Sequence, residues 1–179
     1  MTWKAMLAAV ACTLLLAPTG AAAADADTAK HPSCRICGMD REKWNFSRVY
    51  LEYDDGSTEG ACSIHCAAVD LAVNLDKSPK TVWVADYATK QLIDAEKAVW
   101  VIGGKKPGVM TKRAKWAFAD QAAAEAFVKE NEGAVAAFDE VMKGAYQDMY
   151  EDTKMIRERR AAKRKAATEQ QAPGAAPAK

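Results

Sequence analysis

The chain has 179 residues, with 25 Lys and Arg against 24 Asp and Glu, and half of it is hydrophobic. That balance removes the electrostatic case for nucleic-acid binding. The length suits one domain with a core of its own rather than a disulfide-stapled miniature.

Residues 1–24, MTWKAMLAAVACTLLLAPTGAAAA, begin with a single Lys, run apolar from Ala5 to Ala17 and close on small residues. Ala22 and Ala24 form an A-x-A cleavage pattern, so the segment reads as a secretory signal peptide and the protein as periplasmic. Lipidation at Cys12 is the alternative. The apolar run continues past that cysteine, which argues against it, and membrane association is expected only in that case. No other stretch is long and apolar enough to span a bilayer. Cleavage leaves 155 residues with 24 charges of each sign and four thiols, Cys34, Cys37, Cys62 and Cys66.

Residues 25–33 read as a flexible leader. The segment NFSRVYLEY then turns strand-like, with Phe46, Val49 and Leu51 among polar neighbours. Asp-Gly at 55–56 tolerates the positive φ that a tight hairpin requires, and STEGAC is the return strand. SIHCAAVDLAVNL has apolar residues at helical spacing, and KTVWVADY, rich in β-branched and aromatic residues, is a further strand. The same order then recurs. EKAVWVIGG and KRAKWAFA read as strands. DQAAAEAFVKENEG reads as a helix, with Asp120 at its N-cap and Gly133 at its end, and AVAAFD as a short strand. The expected fold is therefore α+β, with two tandem ββαβ units over about 45–90 and 97–140. A long helix follows over 139–167, with Val141, Ala145, Met149 and Ile156 lining one face. Its basic last turns read as a solvated helix end whose cations complement the macrodipole, with a docking patch as the alternative. Residues 168–179 lack apolar bulk and read as disordered.

The chemistry concentrates in HPSCRICGM, residues 31–39. Two disulfides are the plain reading for four thiols in an exported protein, but the cysteines crowd into one third of the chain as two close pairs, which favours a shared site. Haem attachment needs C-x-x-C-H, and here Gly38 follows Cys37. Catalytic disulfide exchange places its motif at a helix N-terminus, whereas Cys34 follows Pro32 in a loop. Two short-spaced pairs, with 24 residues between Cys37 and Cys62, fit a tetrahedral zinc site. Copper(I) makes fuller use of the residues, because it prefers thiolate and thioether and accepts imidazole. Cys34 and Cys37 can chelate one ion, and Met39 adds a thioether that zinc has little use for. The two histidines, His31 and His65, each lie within three residues of a cysteine. Trp44 and Phe46 read as core of the first strand.

CRICGM, YDDGSTEGACSIHC, PGVMTKRAKWAFADQAAAEAF and GAVAAFDEV together resemble the NosL-type family of copper accessory proteins for nitrous-oxide reductase. The resemblance covers Cys34 to Met142 and implies a metal-binding domain over 34–142 made of two similar ββαβ halves. It implies a copper(I) metallochaperone without turnover, whose partner is a copper-receiving respiratory enzyme or a copper donor; a homodimer is also allowed. Cys34, Cys37 and Met39 fall on the family motif, and Met110 falls where the family has a methionine. On its own residues, Met110 reads as an exposed loop position beside Pro107 and Gly108. Around Cys62 this chain departs from the family, with Cys62, His65 and Cys66 where one cysteine is usual, which suggests extra metal capacity. The alternatives are a thiol-dependent enzyme, lyase-like on the related organomercurial lyase fold or an oxidoreductase, and a structural zinc domain.

Overall fold

The structure, a computed structural model, describes residues 21–171. Residues 1–20 and 172–179 lie outside the described residues, and with them Cys12, most of the expected signal peptide and most of the expected tail. Helix α1 (Ala21–Lys30) replaces the expected flexible leader. Strands β1 (Val49–Tyr53) and β2 (Thr58–Ala61), helix α2 (Ile64–Val73) and strand β3 (Pro79–Ala85) form the first unit. Along β1, Val49, Leu51 and Tyr53 are buried while Tyr50 and Glu52 are half-buried, the period of two that sends alternate side chains to opposite faces. Tyr53 Oη donates to Asp70 Oδ1 of α2 at 2.6 Å, tying the helix to the strand.

A short strand, β4 (Leu92–Asp94), adds to the edge of β3, so the sheet order is β2-β1-β3-β4 with antiparallel neighbours. The sequence did not announce β4, because three residues are too few to show alternation. The second unit is β5 (Val99–Ile102), β6 (Lys115–Phe118), α3 (Gln121–Asn131) and β7 (Ala134–Ala136), with sheet order β6-β5-β7. In each unit the first strand is central, its hairpin partner lies on one side, and the strand after the helix lies on the other. The ββαβ repeat is thus present in the topology. Asp120 caps α3, accepting from Ala123 N at 2.9 Å.

The two sheets meet at Asp86. Its Oδ2 accepts from Ala119 N at 2.6 Å, and Tyr87 N donates to Ala117 O at 2.7 Å. The Tyr87 ring sits 5.0 Å from Phe127 and 5.1 Å from Trp116, and Phe46 joins the same aromatic group, as the core reading of Phe46 requires. Helix α4 (Phe138–Gln171) runs through the positions expected to begin the disordered tail. Its buried stripe is Val141, Ala145, Asp152 and Met155. The expected Met149 and Ile156 are only half-buried, because the buried line rotates to place Asp152 and Met155 inward. No helix among the described residues is long and apolar enough to cross a membrane.

A buried charge network explains why residues 25–33 are ordered. Arg41 is fully buried, and its guanidinium uses all five N–H donors. They reach Asp27 Oδ2 (2.7 Å), Asp27 O (3.0 Å), His31 O (2.7 Å), Val49 O (2.9 Å) and Ala61 O (3.2 Å). Arg48 Nε also donates to the Asp27 carboxylate at 3.1 Å. Gly60 makes the room, since a Cβ there would lie 2.8 Å from the Arg41 guanidinium carbon and 2.6 Å from His31 Cβ. Two acids in a short stretch of small residues are a weak sequence signal, so this network was not legible in advance. Asp27→Asn leaves the fully buried Arg41 guanidinium without its carboxylate. It should destabilise the metal-free protein by about 3–5 kcal/mol, read as a lowered denaturant midpoint with the slope unchanged; a midpoint equal to the parent's would contradict the network.

Candidate metal centre

The C-x-x-C-G-M segment is a loop closed twice at its base. Arg41 N donates to Pro32 O at 2.9 Å, and Cys34 N donates to Met39 O at 2.8 Å. Gly38 N returns to Cys34 O at 2.8 Å, and Gly38 sits at φ +75°, where a side chain is strained. The turn points Cys34 into the core, at 2 % exposure, and leaves Cys37 half-buried.

The second pair sits at the start of α2. Cys62 follows β2, Ser63 is the N-cap residue and Cys66 lies in the first helical turn. The positive pole of the helix favours negative sulfur there once a cation displaces the thiol protons. Arg35 N donates to Gly60 O at 3.0 Å, and the Arg41 bond to Ala61 O holds the strand end just before Cys62. The sulfurs of Cys34, Cys37, Cys62 and Cys66 all lie within 4.8 Å of one another. Cys37 Sγ is 3.4 Å from Cys62 Sγ, which is 3.7 Å from Cys66 Sγ, and all four are free thiols.

Such a group cannot ionise four times without a cation. Cys34 is held well below the usual thiol range, chiefly by S–H donation from Cys37, then from Cys62 and Cys66. Cys37 is raised by Cys34 but lowered more by Cys62 and Cys66 together, and its net shift is downward. Cys62 and Cys66 are pushed far up by the sulfurs of Cys34 and Cys37 and by burial. Proton loss is thus favoured on the motif loop and opposed at the helix. A soft cation entering the pocket replaces the thiol protons.

A model of the NosL family matches residues 25–146. The chain belongs to the NosL family. It is also similar in fold to the crystal structure of the copper chaperone NosL from Shewanella denitrificans, with a TM-score of 0.50 and 23% identity, covering 60% of this chain and 87% of that one. No match was found among curated proteins.

The other residues singled out in the sequence divide into two groups. Met39 and Met110 come together along a groove of about 400 Å³ beside the NosL motif loop, which Trp44 and Met155 also line. Met110 is half-buried at φ +60°, between buried Val109 and Thr111, so its loop is irregular and exposed at Lys105 and Pro107, while Met110 itself is not exposed as expected. Lys112 N donates to Asp152 Oδ1 at 2.9 Å, which ties that loop to α4. His65 is not in the sulfur group. Its Nδ1 lies 3.4 Å from Asp152 Oδ2, and burial holds the imidazole below its ordinary pKa although Asp152 raises it. His31 Nε2 is 3.0 Å from Thr58 Oγ1. Sequence reasoning missed Arg41, Asp152 and Met155. Met155 had no distinguishing signal, because one methionine on a helix is ordinary core filler.

The two thiol classes should separate by titration. In reduced, metal-free protein, thiolate absorbance should show one component persisting below the ordinary thiol range and a second appearing only above it. A single step of four thiols at the ordinary value would contradict the shared pocket.

Proposed function

We propose that this NosL-family protein is an exported copper(I) chaperone without turnover. It holds the ion among Cys34, Cys37, Cys62 and Cys66 and delivers it to a respiratory copper enzyme of the nitrous-oxide reductase type. The observation that carries this reading is the convergence of four free thiols from two distant segments within 4.8 Å, next to a groove lined by Met39, Met110 and Met155. Thiolate with thioether is a ligand set for copper(I). Cys37 is half-buried while the other three thiols are buried, so it is the entry point. The ion meets Met39, Met110 and Cys37 first, then exchanges ligands one at a time toward Cys34, Cys62 and Cys66. Release runs in reverse, and the thioethers ease it because they bind without a proton and let go without a charge. The signal-peptide pattern supports export.

A structural zinc site is the second reading, and one observation favours it. A tetrahedron with Zn–S of about 2.3 Å needs sulfurs roughly 3.8 Å apart, close to the 3.4 and 3.7 Å separations here. Against it stand the thioethers at the mouth, for which zinc has little use. A thiol enzyme has less support, because the nearest imidazole, His65, faces Asp152.

Competition with a copper(I) chelator decides among them. Cys66→Ser should lose affinity as severely as Cys34→Ser, and binding should weaken as pH falls because each thiol must lose its proton. Met110→Leu should slow transfer of copper(I) to the chelator by about tenfold while leaving the affinity and its pH dependence little changed, because the thioether touches the ion only in transit. Tighter zinc than copper(I) binding would favour the structural reading. So would loss of cooperative unfolding in chelator-treated, reduced protein, because this core is large enough to fold without metal.

A further inference from the structure

Helix α4 carries six cations and one acid over residues 157–165. A solvated helix end does not account for them. The macrodipole acts only within the last turn, and the last turn of α4 holds no basic residue. Nor, apart from Lys165 with Glu169, are they spent on internal ion pairs. Among the described residues none of Arg157, Arg159, Arg160, Lys163 and Arg164 pairs with a carboxylate, and every described side chain from Arg157 onward is exposed. Their placement is specific. Lys163 neighbours Arg159 at i,i+4 and Arg160 at i,i+3 on α4, and the three line one wall of the groove whose other wall holds Met39, Trp44 and Met110. Arg160 Nη2 also donates to Cys37 O at 2.9 Å, so the basic helix touches the motif loop itself.

A cationic rim is a poor gate for a free monovalent cation, which it repels. It is a good gate for a partner that brings negative charge to the mouth. We infer that the Arg159–Arg160–Lys163 face of α4 is the docking surface for an acidic protein segment that bears its own soft copper ligands. This inference rests on the copper-chaperone reading and names the chemistry of the partner. Complementary charge would align the two ligand sets, with the acidic segment lying along α4 and its thioethers or imidazoles facing Met39 and Met110. The charge would act mainly on the encounter rate and on partner choice. An anionic membrane is the less favoured occupant, because a bilayer over this face would cover the groove without offering a ligand for the ion.

The test uses two synthetic peptides with the same Met-x-x-Met ligand pair, one flanked by Glu tracts and one by Lys tracts. Docking to the full metal-free chain is followed by Trp44 fluorescence, with Trp44→Phe as the control, so it does not depend on copper binding. The Glu-flanked peptide should bind at least about tenfold more tightly than the Lys-flanked one at low salt. That preference should collapse near 0.5 M salt, where the Debye length is only about 4 Å. Arg159→Glu with Lys163→Glu should reverse it. On the copper-loaded chain, the ratio of transfer rates to the two peptides should follow the same order. Equal binding of both peptides by the parent would overturn the inference even if copper(I) binds tightly. So would binding to phosphatidylglycerol vesicles through these residues with no preference between peptides. Failure to bind copper(I) alongside a retained Glu preference would instead sink the chaperone reading and leave the docking surface standing.

Discussion

Everything about the thiol pocket depends on one buried guanidinium. Arg41 ends the motif loop and donates to Ala61 O, one residue before Cys62, while holding the carbonyls of Asp27, His31 and Val49. Two cysteine pairs separated by 24 residues meet because one side chain fixes both backbones at once. A charge placed so deeply is unfavourable unless every donor is met and a counter-charge is present. Asp27 supplies the counter-charge, and Gly60 supplies the space. That is why the N-terminal segment belongs to the fold, although its composition gives it little else to bury.

The pocket assembled this way is preorganised for a soft cation. Four sulfurs this close together resist multiple ionisation. The metal-free state settles this by lowering the pKa on the motif loop and raising it at the helix. A cation relieves the conflict, and the helix dipole assists. The neighbouring groove differs in character, because the sulfurs that line it are neutral thioethers and its far wall is cationic. On the proposed function, the thiol pocket would hold the ion and the thioether groove would pass it on.

The sequence carried the architecture well, because strand alternation around Val49–Tyr53 and the Asp120 cap are local signals. The ββαβ repeat was legible for the same reason. The strand β4 was not, being three residues long, and α1 was not, because its order comes from the long-range Asp27 contacts. Within the site, C-x-x-C-G-M pointed to the first pair directly, and the departure around Cys62 hinted at the second. His65 looked equally eligible in one dimension. Helix geometry decides between them, since at one residue from Cys66 the imidazole points about 100° away around α2 and finds Asp152. Met155 and the basic wall of the groove depend on where a 34-residue helix lies against the motif loop, which no local pattern encodes.

The NosL membership and the four-thiol pocket meet in a single claim, that copper(I) is held by all four cysteines together and not by the motif loop alone. The copper-edge X-ray absorption of the reduced, copper-loaded full chain tests it most directly, read beside the same spectrum from Cys62→Ser and Cys66→Ser. The account predicts a first shell of sulfur alone in the parent and a measurable loss of sulfur in each variant. A nitrogen ligand in the parent, or an identical shell in all three proteins, would contradict it.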